Sequence, residues 1–204
     1  MRCLLSKLGF VIASFFTERR YGQCKRIKYY LFSKIVMHWF KSTGKHIRIC
    51  PPLFVNGGKY VTIGDNFSML ERARIEAIDC YTTQTFKPEI IIGNNVAISS
   101  ACLWAHQKIV IGNNVRIGGD CIVIDSDCHS LNYVHRRGAV SDMLNTKSKQ
   151  ITIEDDVMIG ARCIILKGVV IGARSVIGAG AVVTRSIPAD CIACGNPAKI
   201  IKRI

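Results

Sequence analysis

Two hundred and four residues make one domain of ordinary size with room for a short arm, and they exclude a pair of large catalytic domains. Apolar residues at 49% and charged residues at 21% exclude a disordered or collagen-like chain. The formal net charge of +14 is unevenly placed: residues 1–50 carry eleven Lys and Arg against the single acid Glu18. A basic end of this kind suits an anionic membrane or a phosphate-bearing substrate. Nucleic acid ranks last, because no helix-turn-helix, zinc-finger or RNA-binding signature accompanies the charge.

Taken in chain order, residues 1–59 read as a basic, partly helical arm. The apolar run Cys3–Phe16 is interrupted by Lys7 and is shorter than the ~20 residues of a spanning helix. It is expected as a retained terminal helix, since Glu18-Arg19-Arg20, rather than a small-residue cleavage site, follows it. Tyr21 to Thr43 has aromatic and basic spacings that suit an amphipathic helix lying across the start of the main body. Alternation of Phe10, Phe15, Phe16, Tyr29, Tyr30, Trp39 and Phe40 with Lys and Arg gives this arm the composition of a peripheral membrane contact, although packing on the body accounts for it equally. The ten cysteines are scattered rather than clustered, which fits a reducing cytoplasm, at the inner face of the membrane if the arm binds there.

Residues 60–188 carry a six-residue period. From Ile153 it runs through Ile159, Ile165, Ile171, Ile177 and Val183. Four residues after each stands another apolar or small side chain, namely Val157, Cys163, Val169, Ser175, Ala181 and Ile187. Ile92, Ile98 and Trp104, then Ile111, Ile117 and Val123, repeat it with one extra residue near Ala105-His106-Gln107, and Ile63, Met69 and Ile75 form a weaker copy. Neither a helix nor a long strand has this period, whereas short strands joined by tight turns, three to a coil, do. Gly64-Asp65-Asn66, Gly93-Asn94-Asn95 and Gly112-Asn113-Asn114 supply residues that tolerate left-handed turns. The fold class is therefore all-β: a left-handed parallel β-helix of hexapeptide repeats, about five coils long, whose aliphatic core exists only through stacking. Residues 129–150 abandon the period and are expected to protrude as a loop, and 189–204 form a C-terminal extension.

His129 closes the run Asp125-Ser126-Asp127-Cys128-His129, where a regular coil gives way to that loop. An imidazole at the rim of a groove can take a proton from an attacking hydroxyl near neutral pH, although an isolated turn histidine is often only a surface residue. Asp127, two residues away, is the first choice to orient it and Asp125 the second. His106, at the irregular turn, is a candidate for the acceptor groove, and Arg136 in the loop for an anionic acceptor. His106, His129 and His135 do not have the spacing of a three-histidine zinc site, so no metal is expected. Cys191 and Cys194 make a lone C-x-x-C that reads as a capping turn.

With the repeat, the histidine at the loop junction, the segment Ile153 to Ala161 and the ending Gly195 to Lys202, residues 60–204 resemble the hexapeptide-repeat acyltransferases. They are most similar to the maltose/galactoside O-acetyltransferase branch and to the colanic-acid and O-antigen O-acetyltransferases. The resemblance implies a homotrimer with acetyl-CoA in grooves between prisms and His129 as catalytic base. It places cofactor contacts at Gly160, Ala161, Ala179, Thr184 and Arg185, and puts Lys199 and Lys202 near the cofactor phosphates. The family's tryptophan is replaced by Met158, and its acceptor-placing asparagine has no clear match, leaving Ser99 and Ser100 in that neighbourhood. The activity implied is O-acetylation of a sugar in a polysaccharide or glycolipid precursor. N-acetylation of an amino sugar nucleotide, or a trimeric β-helix scaffold without turnover, are the alternatives.

Overall fold

The structure, a computed structural model, describes residues 18–81 and 84–204; the apolar run Cys3–Phe16 lies outside them. Six coils of a left-handed parallel β-helix stack among the described residues. The first comprises Ser42–Thr43, Arg48–Ile49 and Leu53–Asn56, and the second Val61–Ile63, Ser68–Met69 and Ala73–Ala77. Glu89–Ile92, Ala97–Ile98 and Cys102–Ala105 form the third, and Lys108–Ile111, Arg116–Ile117 and Ile122–Ile124 the fourth. Ile151–Ile153, Met158–Ile159 and Ile164–Ile165 form the fifth, and Val170–Ile171, Val176–Ile177 and Val182–Val183 the sixth.

Each coil gives one strand to each of three parallel faces. The six-residue period is the distance from one face to the next, so every sixth side chain points inward. Ile63, Ile92, Ile111, Ile153 and Ile171 stand in register as one inner column. All are buried, as are Val157, Cys163, Val169, Ser175, Ala181 and Ile187 at the corners. A fully buried aliphatic side chain contributes about 2 kcal/mol, so this column dominates the energetics of the rod.

The corner between the first and second faces is held by a ladder. Asn66, Asn95, Asn114 and Asp156 all have φ between 55 and 61°. Asn66 Nδ2 donates to Asn95 at 2.9 Å, Asn95 to Asn114 at 3.1 Å, and Asn114 to Asp156 at 3.0 Å. The Gly-Asn-Asn triplets thus serve both as left-handed turns and as a hydrogen-bonded seam along the rod.

The prism starts earlier than the boundary expected at residue 60. Arg48 and Ile49 pair with Ser68 and Met69, and Leu53 to Asn56 pair with Ala73 to Glu76, inside what composition marks as the arm. The helix α1 (Glu18–Val36) ends against this first coil and is followed by a 3-10 turn at Met37–Trp39. Val36 and Phe40 enter the core, and the buried Ser33 hydroxyl accepts the Ile49 amide at 2.8 Å and donates to the Tyr29 carbonyl at 2.6 Å. The open end of the rod is thereby covered. At the other end, Lys199–Arg203 runs antiparallel to Cys191–Cys194 and closes the second face. A short hairpin, Cys80–Tyr81 with Gln84–Thr85, interrupts the winding between coils two and three. The nine described cysteines are free thiols, and Cys121, whose thiol burial pushes up to about 11, is one of the small corner residues.

Candidate functional site

The loop leaves the rod at the corner between the third and first faces. Its base is sealed by an antiparallel bridge between Ser126 and Ser148, with the Asp127 amide donating to the Lys147 carbonyl and the Lys149 amide to that of Asp125. Inside the loop a 3-10 turn (His135–Arg137) leads into a short helix, α2 (Ala139–Leu144).

That helix carries the residue that orients His129. Asp142 Oδ2 lies 2.6 Å from His129 Nδ1, and Asp142 Oδ1 accepts the Ser130 amide at 2.7 Å. The Asp142 side chain is only 12% exposed, whereas that of His129 is 63% exposed. A carboxylate at Nδ1 favours the tautomer with its proton there, which leaves Nε2 as the basic nitrogen. The hydrogen bond from His129, followed by that from the Ser130 amide, holds the Asp142 carboxyl below its ordinary range. This is the geometry of a general base with a fixed ring.

Neither Asp127 nor Asp125 orients His129. Asp127 faces Lys167 at 3.3 Å. Asp125 is fully buried and accepts the amides of His106, Gln107 and Lys108 at 2.8, 2.8 and 2.7 Å. It holds the irregular turn that the extra residue creates, and burial raises its carboxyl above the usual range against the pull of those amides. Asp125→Ala strands three donors in the interior and is expected to cost about 3 kcal/mol or more, read as a lower denaturant midpoint at unchanged slope.

His106 is likewise structural. It is 4% exposed and stacks on Phe86 at 4.5 Å between ring centroids, so it reaches no groove, and burial lowers its pKa. Arg136 is exposed but turned onto its own loop, donating to the Ser130 carbonyl at 2.5 Å. Ser100 lies at the corner between the second and third faces with φ 52°, donating to the Glu71 carbonyl at 2.6 Å.

Gly160, Ala161 and Ala179 share that corner with Ser100, and both alanines are exposed. A Cβ added to Gly160 would lie 2.5 Å from the Ala179 amide nitrogen, so the corner coils stack at backbone contact distance. The Ala161 amide has no hydrogen-bond partner among the described residues, while Gly160 and Arg162 on either side donate to Ile177 and Gly119. Thr184 and Arg185 are exposed at the end of the sixth coil. Nearby, the turn before Lys199 is fixed by hydrogen bonds between Val182 and both Gly195 and Ala198, and Lys199 and Lys202 are exposed on the terminal strand. Met158 is 53% exposed on the outer surface of the second face.

Within one chain these groups do not converge. Ala161 precedes the third-face strand Ile164–Ile165, while His129 follows the neighbouring strand Ile122–Ile124, so they occupy opposite edges of one face. The outer surface between them is apolar, with Cys102, Ile122, Ile164 and Val182 in register.

Stacked hexapeptide coils with an oriented histidine at a loop junction define a β-helix protein of the acyltransferase type. Residues 150–185 match the family model described as the hexapeptide repeat of succinyl-transferase. The chain is 27% identical over 170 residues to the galactoside O-acetyltransferase of Escherichia coli K12, covering 83% of this chain and 67% of that protein. It is 49% identical over 53 residues to the 2,3,4,5-tetrahydropyridine-2,6-dicarboxylate N-acetyltransferase of Staphylococcus aureus, which covers 26% of this chain and 22% of that one. Among solved structures, the hexapeptide-repeat acetyltransferase VCA0836 of Vibrio cholerae, complexed with acetyl coenzyme A, superposes with a TM-score of 0.54 at 29% identity, over 83% of this chain and 74% of that one. AntD, an N-acyltransferase of Bacillus cereus in complex with dTDP-4-amino-4,6-dideoxyglucose and coenzyme A, shares the fold with a TM-score of 0.69 at 21% identity, over 83% and 87% of the two chains. The chain belongs to the hexapeptide-repeat acyltransferases. Among the described residues no helix is long and apolar enough to cross a membrane.

Proposed function

We propose that this protein transfers an acetyl group from acetyl-CoA to a sugar hydroxyl of a polysaccharide or glycolipid precursor, directly and without an acyl-enzyme. The observation that carries this reading is the His129–Asp142 pair: an exposed imidazole held by a buried carboxylate at one nitrogen and open at the other. A scaffold without turnover has no use for that arrangement.

His129 Nε2 takes the proton of the acceptor hydroxyl as its oxygen attacks the thioester carbonyl. The Ala161 amide, fixed by the coil, donates to the carbonyl oxygen as charge develops there. When the carbon–sulfur bond breaks, the imidazolium returns its proton to the departing thiolate. The small side chains of Ala161 and Ala179 leave the corner open to an extended pantetheine, and Lys199, Lys202 and Arg185 provide cations for the phosphates of the donor. Residues suited to the base and to the donor stand on opposite edges of one apolar face, which supports a homotrimer in which His129 of one chain meets Ala161 of the next. The exposed ridge Ile27, Leu31 and Ile35 on α1, bordered by Lys28 and Lys34, supports contact of this end with an anionic membrane at the cytoplasmic face.

Acceptor-dependent release of free thiol from acetyl-CoA tests the reaction. Glycans bearing free hydroxyls are expected to drive it, and amino sugars lacking an acylated nitrogen are not expected to drive it faster. Release confined to amino sugars would replace the oxygen acceptor by nitrogen, and no release with any acceptor would leave the scaffold.

A further inference from the structure

The N-terminal half of α1 stands away from the prism and encloses, with the first corner of coil one and the second corner of coils two and three, a cavity of about 1320 Å³. Five Lys and Arg side chains line it, Lys25, Arg26 and Lys34 from the helix with Lys45 and Arg48 from the prism, against one carboxylate, Glu71. Glu71 is already committed: it pairs with Lys25 at 2.9 Å and accepts the Tyr29 hydroxyl, tying the helix to the corner. Arg26, Lys34, Lys45 and Arg48 have no carboxylate partner among the described residues, so the cleft holds a concentrated, uncompensated positive field. Tyr29 and Tyr30 add aromatic surface, and Lys34 lies 5.5 Å from the Tyr30 ring centroid.

The position of the cleft is informative. Ser100, which lines it, occupies the same prism edge as Ala161, two coils nearer the N-terminus. Coil spacing is the strand spacing of a parallel sheet, so the two levels are roughly 10 Å apart. A hexose carrying a diphosphate at its anomeric carbon spans such a distance with a ring hydroxyl at one end and phosphates at the other.

We infer that this cleft is the acceptor's phosphate subsite, and that the acceptor is a glycosyl diphosphate. The inference rests on the acetyl-transfer reading for the word acceptor but not for the binding itself. Cations on two rigid elements, the helix and the first coil, bind the two phosphates and leave the sugar hydroxyl at the level of Ala161. Fork-shaped donors at Arg26 and Arg48 suit phosphate oxygens.

Calorimetric titration of the full-length protein with inorganic pyrophosphate tests the site without any reaction. Binding is expected, weakening with salt, at least tenfold weaker in the R26Q/K45Q/R48Q variant and unchanged in H129A. These three side chains are exposed, so the variant is expected to keep its size in solution and its circular dichroism. In the thiol-release assay the same variant should raise KM for a glycosyl diphosphate at least tenfold with kcat retained, and leave KM for a neutral sugar unchanged. Saturation by a soluble nucleoside diphosphate sugar identifies a cytosolic acceptor, and saturation only by a polyprenyl diphosphate sugar in neutral vesicles identifies a lipid-linked one; both support the cleft. Absence of pyrophosphate binding, or equal binding by the triple variant, overturns it. Pyrophosphate binding without thiol release from any acceptor would retain the phosphate site and remove the acetyl-transfer reading instead.

Discussion

His129→Ala is expected to lower acceptor-dependent thiol release from acetyl-CoA by a factor on the order of 10² to 10⁴, the usual contribution of a positioned general base. The loss should fall on kcat, because the imidazole is needed when the hydroxyl proton moves rather than when either substrate docks. Stability should hardly change. The ring is 63% exposed, and its printed polar contact is with Asp142; a surface substitution of this kind usually stays within about 0.5 kcal/mol. A matching thermal midpoint with activity lost therefore separates chemistry from folding. If His129→Ala released thiol at the wild-type rate, the loop-junction histidine would be an ordinary surface residue and the proposed mechanism would fail.

Legibility of the fold followed the physics of the repeat. Where every sixth side chain is Ile or Val, as from Ile92 to Ile98 and from Ile153 to Val183, burial alone writes the period into the chain. The first coil obeys the same spacing through Thr43, Ile49 and Val55, but Thr43 is polar and Pro51-Pro52 interrupts the pattern, so composition assigned it to the arm. Capping by α1 was legible as an amphipathic helix. The cleft beneath it was not, because it depends on where Glu71 from the second coil meets Lys25 and Tyr29, a pairing across more than forty residues.

The site divided in the same way. His129 was legible because it marks the end of regular winding. Its orienting partner was sought among near neighbours, on the assumption of an extended segment, yet the chain turns back through α2 and brings Asp142 from thirteen residues away. One signal was available: Asp142 is the only acid between His129 and Gln150, in a segment otherwise basic. Asp125 and His106 misled for a shared reason. Polar residues at a break in a repeat can be needed to satisfy the break itself, and here both are buried in doing so.

Asp142→Asn is the sharper test of the pair, because asparagine can keep the loop bond while reversing the polarity at the ring. Its Oδ1 can still accept the Ser130 amide, but its Nδ2 now donates to His129 Nδ1. The proton is thereby forced onto Nε2, and the nitrogen facing the acceptor can no longer take one. The expected result is a fall in kcat on the order of 10² to 10⁴ with the loop intact, whereas Asp127→Asn, which touches Lys167 instead, should leave kcat within a few-fold of wild type. The acid limb of stability gives an independent readout. The Asp142 carboxyl is held below its ordinary value of 3.8 by His129 and by the Ser130 amide. A carboxyl depressed in the folded state binds fewer protons there than in the unfolded chain. Its stabilisation is therefore complete above the unfolded value and is lost as pH falls through the folded one. Thermal midpoints of wild type and Asp142→Asn should accordingly differ at pH 6 and converge as pH falls below that ordinary value. A constant difference across that range, or a variant with undiminished kcat, would mean that Asp142 merely braces the loop and that His129 works without it.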